Sequence, residues 1–288
     1  MLAVLLGVAG ALCWSVHDLL ARRMAGEIGA FRMAALVMVA GGVLLSAQVL
    51  ATGSIWQASG QGLIQALLLG LGYGLGIGGL FKAFSLGPVS LVGPLTAGYP
   101  VLTVLWGVAN GLEPTLVQWA CVGATLVGAV IVARSGTEDG GINAVEPGKM
   151  PVLLFFAAMS ALGYSAAIVL GQHAAVSMGE AEAAWLSRVT GLLVLLPFVL
   201  GEARHAPLTR RSWAAVFAMG GLDVLGLIIV TASGHLPGRE FAGIGISAYG
   251  ALTVILAMIF LGEKVSPGQW LGLALIMGGV AAMSLGAA

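Results

Sequence analysis

The chain has 288 residues, of which 59% are apolar and only 8% charged, and its formal net charge is zero. Soluble chains carry about 25% charged residues. So sparse a charge cannot build a water-facing surface, so most of this surface must face lipid. Zero net charge offers polyanions nothing, and nucleic acid is not expected as a partner.

A helix needs about 20 apolar residues to cross the hydrocarbon core. Ten such runs can be cut from the chain, at 3–21, 30–51, 62–81, 89–110, 115–133, 151–171, 181–200, 213–233, 241–261 and 268–286. They are long and unbroken, whereas a barrel would alternate in segments of about ten residues. The expected fold class is therefore an all-α integral membrane protein with ten transmembrane helices. The first run has no Lys or Arg before it, so it lacks the charged start of a signal peptide and is read as a retained span. Cys13 and Cys121 lie inside apolar runs without CxxC spacing or His neighbours. They are read as small packing residues, with no disulfide and no metal site expected.

Between the fifth and sixth runs lies one polar stretch, Ser135 to Met150, with Glu138, Asp139, Glu146 and Lys149 among glycines and a proline. It divides the chain into 1–134 and 151–288. The two parts repeat each other. Tyr99-Pro100, Leu102-Thr103-Val104, Gly111-Leu112-Glu113 and Gln118-Trp119 return as Tyr249-Gly250, Leu252-Thr253-Val254, Gly262-Glu263 and Gln269-Trp270, at an offset of 150 or 151. Ala11-Leu12-Cys13-Trp14-Ser15 returns as Ala161-Leu162-Gly163-Tyr164-Ser165. Five spans per copy is an odd number, so the second copy enters the membrane from the opposite face. That is an inverted repeat, the layout of many secondary transporters. Lys and Arg concentrate in the odd-numbered loops, which places those loops in the cytoplasm and both termini outside.

The third run carries Gly70, Gly74 and Gly78 at spacing four and Gly72 and Gly76 as a second stripe. Glycine stripes let helices approach closely in lipid, and a helix smooth on two faces can also slide. The fourth run is interrupted by Pro88, Pro94 and Pro100, and its counterpart carries Gly243, Gly245 and Gly250. Paired interruptions in two halves point to a central site, although kinking alone also accounts for them.

Several polar residues fall inside the runs. Asp223 is near the middle of the eighth. A carboxylate at that depth costs about 2.5–3.5 kcal/mol, so it must face protein or a wet cavity. It is either a proton carrier, neutral when isolated, or a hydrogen bond between two helices. Arg188 in the seventh run is its natural partner, or else meets a substrate carboxylate. Trp14, His17 and Asp18 share one helix face. An ordinary Asp18–Arg22 ion pair explains that face, and a proton relay through His17 is the alternative. Tyr73, Tyr99, Tyr164 and Tyr249 also lie well inside runs, where their hydroxyls need partners. Tyr99 and Tyr249 adjoin the interruptions and are expected to line a cavity. Trp56, Trp119, Trp185, Trp213 and Trp270 fall at run ends, as an interfacial belt.

Gly111-Leu112-Glu113 with Gln118-Trp119, and Leu261-Gly262-Glu263-Lys264 with Gln269-Trp270-Leu271-Gly272, resemble the drug/metabolite transporter superfamily, EamA type. Phe31-Arg32 and Ser187-Arg188 extend the resemblance over nearly the whole chain. Pro114 stands where a basic residue is usual, and Gly250 where a proline is usual. The resemblance implies a multi-pass carrier of a bacterial inner membrane that exports amino acids or other small metabolites from a cavity between the halves.

The expected function is thus secondary transport of a small polar metabolite, amino acids foremost, by alternating access. The partners are a small-molecule substrate and the lipid bilayer, with the chain as monomer or homodimer. No cofactor is expected. Expected substrate-binding residues are Trp14, His17, Asp18, Tyr73, Tyr99, Tyr164, Arg188, Asp223 and Tyr249. Export of cationic drugs and a non-transporting, lipid-handling membrane subunit are the alternatives. An enzyme is not expected, because no nucleophile–base pair, metal cluster or phosphate loop is recognisable.

Overall fold

The computed structural model describes residues 2–52, 60–111, 113–135, 145–146, 148–202, 207–233, 246 and 248–286. Among these residues every regular element is a helix. In chain order they are α1 Leu2–Ile28, α2 Ala30–Thr52, α3 Gly60–Leu86, α4 Val89–Ala97, α5 Pro100–Ala109, α6 Leu116–Ser135, α7 Met150–Met178, α8 Glu180–Gly201, α9 Arg210–Ser233, α10 Tyr249–Leu261 and α11 Pro267–Gly286. Eight stretches are long and apolar enough to cross a membrane, with α4 and α5 together forming one of them. Helices α10 and α11 are shorter apolar helices. Most of the ninth expected run ahead of Tyr249, with Gly243 and Gly245, lies outside the described residues.

Helices α1 and α7 run about two turns past their apolar runs, because apolarity marks the lipid-facing length and not the hydrogen-bonded length. Both stop at a glycine in the left-handed region, Gly29 with φ 89° and Gly179 with φ 96°. Each of these amides bonds back four residues, to the Ala25 and Ala175 carbonyls. A side chain there would be strained, so the turns into α2 and α8 are fixed at equivalent places in the two copies. In the fourth run Pro94 is absorbed inside α4, and the break comes at Gly98-Tyr99, after which Pro100 opens α5. Proline at the first helical turn costs no hydrogen bond.

The glycine stripes of α3 separate two neighbours. A Cβ on Gly70 or Gly74 would lie 2.8 Å from the Ser187 or Gly191 carbonyl oxygen of α8. A Cβ on Gly72 or Gly79 would lie 2.9 Å or 2.7 Å from the Gly163 or Phe156 carbonyl oxygen of α7. One stripe thus seats α8 and the other α7, with backbones in direct contact. Related contacts recur at the repeat offset. Gly76 faces the Tyr164 ring and Gly226 faces the Trp14 ring. Gly70 faces Thr190, and Gly220 faces Ala40.

Corresponding helices of the two copies also pack on each other, running in opposite directions. Phe31 stacks on Phe198 at one end of the α2–α8 pair, and Trp185 Nε1 donates to Ser46 Oγ at 2.8 Å near the other. Gly128 lies on Gly272, and Gly279 on Cys121, in the α6–α11 pair. Glu263, just after α10, meets the start of α4, while Gly250 faces Ala97 at its end.

The outer surface is apolar. Leu50, Leu116, Val176 and Leu200 are all more than three-quarters exposed. Such a surface requires lipid around it. Trp119, Trp213 and Trp270 are partly exposed near helix ends, as a belt requires. Trp185 instead spends its N–H on Ser46, pinning α8 to α2. Trp56 lies outside the described residues.

Candidate functional site

A cavity of about 560 Å³ lies where the two copies meet. It draws on α1 for Trp14, His17 and Asp18, α3 for Tyr73, α7 for Tyr164, α9 for Asp223 and α10 for Tyr249. Tyr99, Pro100 and Thr103 come from the break between α4 and α5 and the start of α5. The remaining wall is chiefly aliphatic, with Ile168, Ile276, Met277 and Val280 among its residues. Eight of the nine residues singled out from the sequence therefore face one space. The ninth, Arg188, stands behind the wall.

The two carboxylates of the cavity are held differently. Asp223 is 8% exposed. Its Oδ2 accepts from Arg188 Nη2 at 2.6 Å and its Oδ1 from the Tyr73 hydroxyl at 2.9 Å. The guanidinium carbon of Arg188 also lies 4.2 Å from the Tyr73 ring centroid, a cation–π contact. Of the two readings left open by the sequence, Asp223 takes the bonded one, with Arg188 as the expected partner. Taking up a proton would break a buried ion pair and leave the Arg188 charge stranded, which makes it a poor carrier.

Asp18 is 1% exposed. It accepts from the Tyr249 hydroxyl, and its Oδ1 lies 3.0 Å from His17 Nδ1. The expected Asp18–Arg22 pair does not form. Arg22 turns away to donate to the Phe84 carbonyl at 2.7 Å, and its nearest acidic influence is Glu263. Spacing of four permits a pair only when both side chains prefer each other to a deeper partner. Here the unpaired carbonyl at the end of α3 wins.

Three contributors were not read from the sequence. Ser15 donates to the Ala11 carbonyl of its own helix at 2.8 Å and accepts from Thr253 Oγ1 at 3.0 Å, so it ties α10 to α1 beside Asp18. Thr96, at the end of α4, also lines the cavity. Glu263 served only as a landmark of the repeat, yet its carboxylate accepts the Val89 and Ser90 amides at 2.9 and 2.8 Å. It caps the N-terminus of α4 and ties that helix to the end of α10. An acidic residue after a turn glycine carries no signal of a cap on a helix 170 residues away in sequence (Val89 to Glu263 spans 174).

The EamA-like transporter family matches this chain twice, over residues 1–134 and 152–285. A Synechocystis protein named uncharacterized transporter sll1319 is 25% identical over 240 residues, 80% of this chain and 67% of its own length. A solved crystal structure superposes with a TM-score of 0.65 at 23% identity, covering 98% of this chain and 96% of the other. That likeness concerns the fold. Two family matches account for both halves of a multi-pass apolar bundle whose shared wall is built by residues of each, and the chain belongs to the EamA-like transporter family.

Proposed function

We propose that this protein is a secondary carrier that exports small polar metabolites, amino acids foremost, by alternating access through the cavity between its two repeats. The observation that carries the reading is the cavity itself: both copies line it, and it holds one carboxylate paired to arginine and another without a fixed cation. The aromatic and aliphatic wall suits an apolar side chain, and the Asp18 carboxylate suits an ammonium group.

Alternating access needs two halves that can rock. The reading takes the chain as ten spans in two five-helix repeats inserted in opposite senses, 1–134 and 151–288, joined by the polar stretch 135–150. Reciprocal contacts such as Gly76–Tyr164 and Gly226–Trp14 support a two-fold relation. So does the antiparallel packing of corresponding helices. The lining reaches Val104 and Met283 at one end, and the Glu263 cap and the Arg22–Phe84 bond lie toward the other, which this reading takes as the closed end. By the Lys/Arg distribution the closed end is cytoplasmic, in a bacterial inner membrane.

The test is transport by purified protein in liposomes, with radiolabelled amino acids inside and out. Exchange or efflux above protein-free vesicles supports the carrier. No flux of any amino acid or amine overturns it, and leaves a non-transporting membrane subunit. One observation favours cationic drugs as a second substrate class. Arg188 would repel a cation, but its charge is neutralised by Asp223 at 2.6 Å. Efflux of ethidium from the same vesicles, without amino-acid flux, would select that class.

A further inference from the structure

Two glycines behind the cavity wall each carry an aromatic ring of that wall. A Cβ on Gly226 of α9 would lie 2.8 Å from Trp14 Nε1 and 3.1 Å from Cδ1 and Cε2. A Cβ on Gly76 of α3 would lie 2.9 Å from Tyr164 Cδ1 and 3.1 Å from Cε1 and Cγ. Ordinary carbon contacts are about 3.5–4.0 Å. In both cases the near atom is flanked by its two bonded neighbours at almost the same distance. An approach in the ring plane would leave those neighbours much farther away, so the added carbon would press on the ring face. Sliding the ring within its plane does not relieve that clash. Trp14 and Tyr164 line the cavity, and neither glycine does, so each ring stands between its glycine and the ligand space.

Resting on the carrier reading above, we infer that Gly76 and Gly226 are positioning residues that set the width of the cavity, and with it the largest side chain the carrier accepts. Each glycine lets a ring from the other copy lie flat on a helix backbone. A methyl group at either one lifts that ring toward the ligand and narrows the space. At Gly76 the helices cannot part to make room. A Cβ on Gly163, next to Tyr164, would lie 2.5 Å from the Gly76 amide nitrogen and 2.6 Å from the Gly72 carbonyl oxygen. The backbones of α3 and α7 therefore already touch beside the ring. Cys13 stands at the corresponding place on α1, so no glycine closes α1 on α9 there. Ring movement and helix separation are distinct outcomes at Gly226, and experiment can tell them apart.

The repeat separates this role from helix packing. Gly76 and Gly226 occupy one position of the two copies, and Trp14 and Tyr164 another. A ring on a glycine is therefore kept in both copies. The polar chemistry of the same cavity is not: Asp18 answers to Ile168, and Asp223 to Tyr73. Gly70 and Gly220 lie six residues earlier on the same two helices. A Cβ on either would be just as crowded, 2.6 Å from Thr190 Cβ or 2.7 Å from Ala40 Cβ. Thr190 and Ala40 are outside the cavity lining. Those two glycines serve contact between helices, and they provide the control for the pair under the rings.

The experiment uses the full-length protein in liposomes, with L-alanine and L-phenylalanine as probes, and fluorotryptophan-labelled protein in detergent for fluorine NMR. Gly226→Ala and Gly76→Ala should each raise the KM of L-phenylalanine relative to that of L-alanine by roughly tenfold or more, the low end of what one methylene commands in an apolar pocket. The maximal rate with L-alanine should not change. Gly220→Ala should lower the melting midpoint and leave the KM ratio as it was. Trp14→Leu removes the flat ring, and in that background Gly226→Ala should no longer alter the ratio. The Trp14 resonance, identified by its loss in Trp14→Leu, should shift in Gly226→Ala and stay in place in Gly220→Ala. An unaltered ratio in both alanine variants, the same alteration in Gly220→Ala, or an effect of Gly226→Ala that persists without the Trp14 ring overturns the inference. So does a Trp14 resonance that ignores Gly226→Ala, or a native carrier that moves L-alanine and excludes L-phenylalanine. If Gly226→Ala does not fold, its combination with Trp14→Leu decides. Recovery of folded protein supports the ring seat, and a second failure assigns the glycine to helix packing and overturns it. Absence of all flux from the native protein is a failure of the carrier reading itself, and the spectra judge the ring seat independently of it.

Discussion

Tyr73 and Asp223 occupy the same position of the two repeats, 150 residues apart, and they bond to each other at 2.9 Å. The two family-matched halves meet at that pair, and there they differ in chemistry. One contributes a phenol and the other a carboxylate. Arg188 completes the trio from α8, its guanidinium both paired to Asp223 and stacked on Tyr73.

This trio should behave as one buried unit. Asp223→Asn keeps shape but strands the guanidinium charge, and Arg188→Gln strands the carboxylate. Removing one member of a buried pair costs about 3–5 kcal/mol, whereas replacing both is often nearly neutral. Each single variant should therefore lower the unfolding midpoint in detergent substantially, and the double variant should recover most of the loss. Additive losses in the double variant would show that the two side chains act independently.

The glycine stripes give a sharper contrast. Gly74→Val places a Cβ within 2.9 Å of backbone atoms of Gly191, with no flexible side chain to yield. Gly123→Val on α6 meets nothing within 4 Å. Overpacking costs about 1–3 kcal/mol, so Gly74→Val should reduce monodisperse protein on size-exclusion chromatography while Gly123→Val leaves it unchanged. Equal behaviour of the two would mean that α3 and α8 are free to separate.

Much of this architecture was legible because lipid imposes simple rules. Run length marks spans, and spacing of four in Gly70, Gly74 and Gly78 marks a contact face. A lone Asp223 with a lone Arg188 foretold a pair. The internal repeat located the cavity, since it aligned the break at Tyr99-Pro100 with Tyr249-Gly250. What sequence could not decide was competition between partners. Asp18 and Arg22 have helical spacing, yet Arg22 prefers the Phe84 carbonyl. Trp185 stands at a run end, yet Ser46 draws its N–H inward. These choices depend on which backbone groups other helices leave unpaired, and that is known only once the helices are placed.

The Glu263 cap yields the last prediction. Its carboxylate accepts two amides at the start of α4, where Pro88 precedes the helix and no side chain of its own caps it. A charged acceptor at a helix N-terminus is worth about 1–2 kcal/mol. Glu263→Gln leaves one acceptor oxygen and removes the charge, so one amide loses its partner. The bond joins α10 to α4 across the two repeats, at the bundle end opposite Val104. Weakening it should raise the population open at that end. Leu80 lines the cavity and is 3% exposed, so it reports on this opening. With Cys13 and Cys121 replaced by serine, a Leu80→Cys variant should react slowly with a membrane-impermeant maleimide. Adding Glu263→Gln should speed the reaction by roughly five- to thirtyfold, the factor that 1–2 kcal/mol represents. An unchanged labelling rate, with the melting midpoint lowered, would make Glu263 a stabilising cap and no part of a gate.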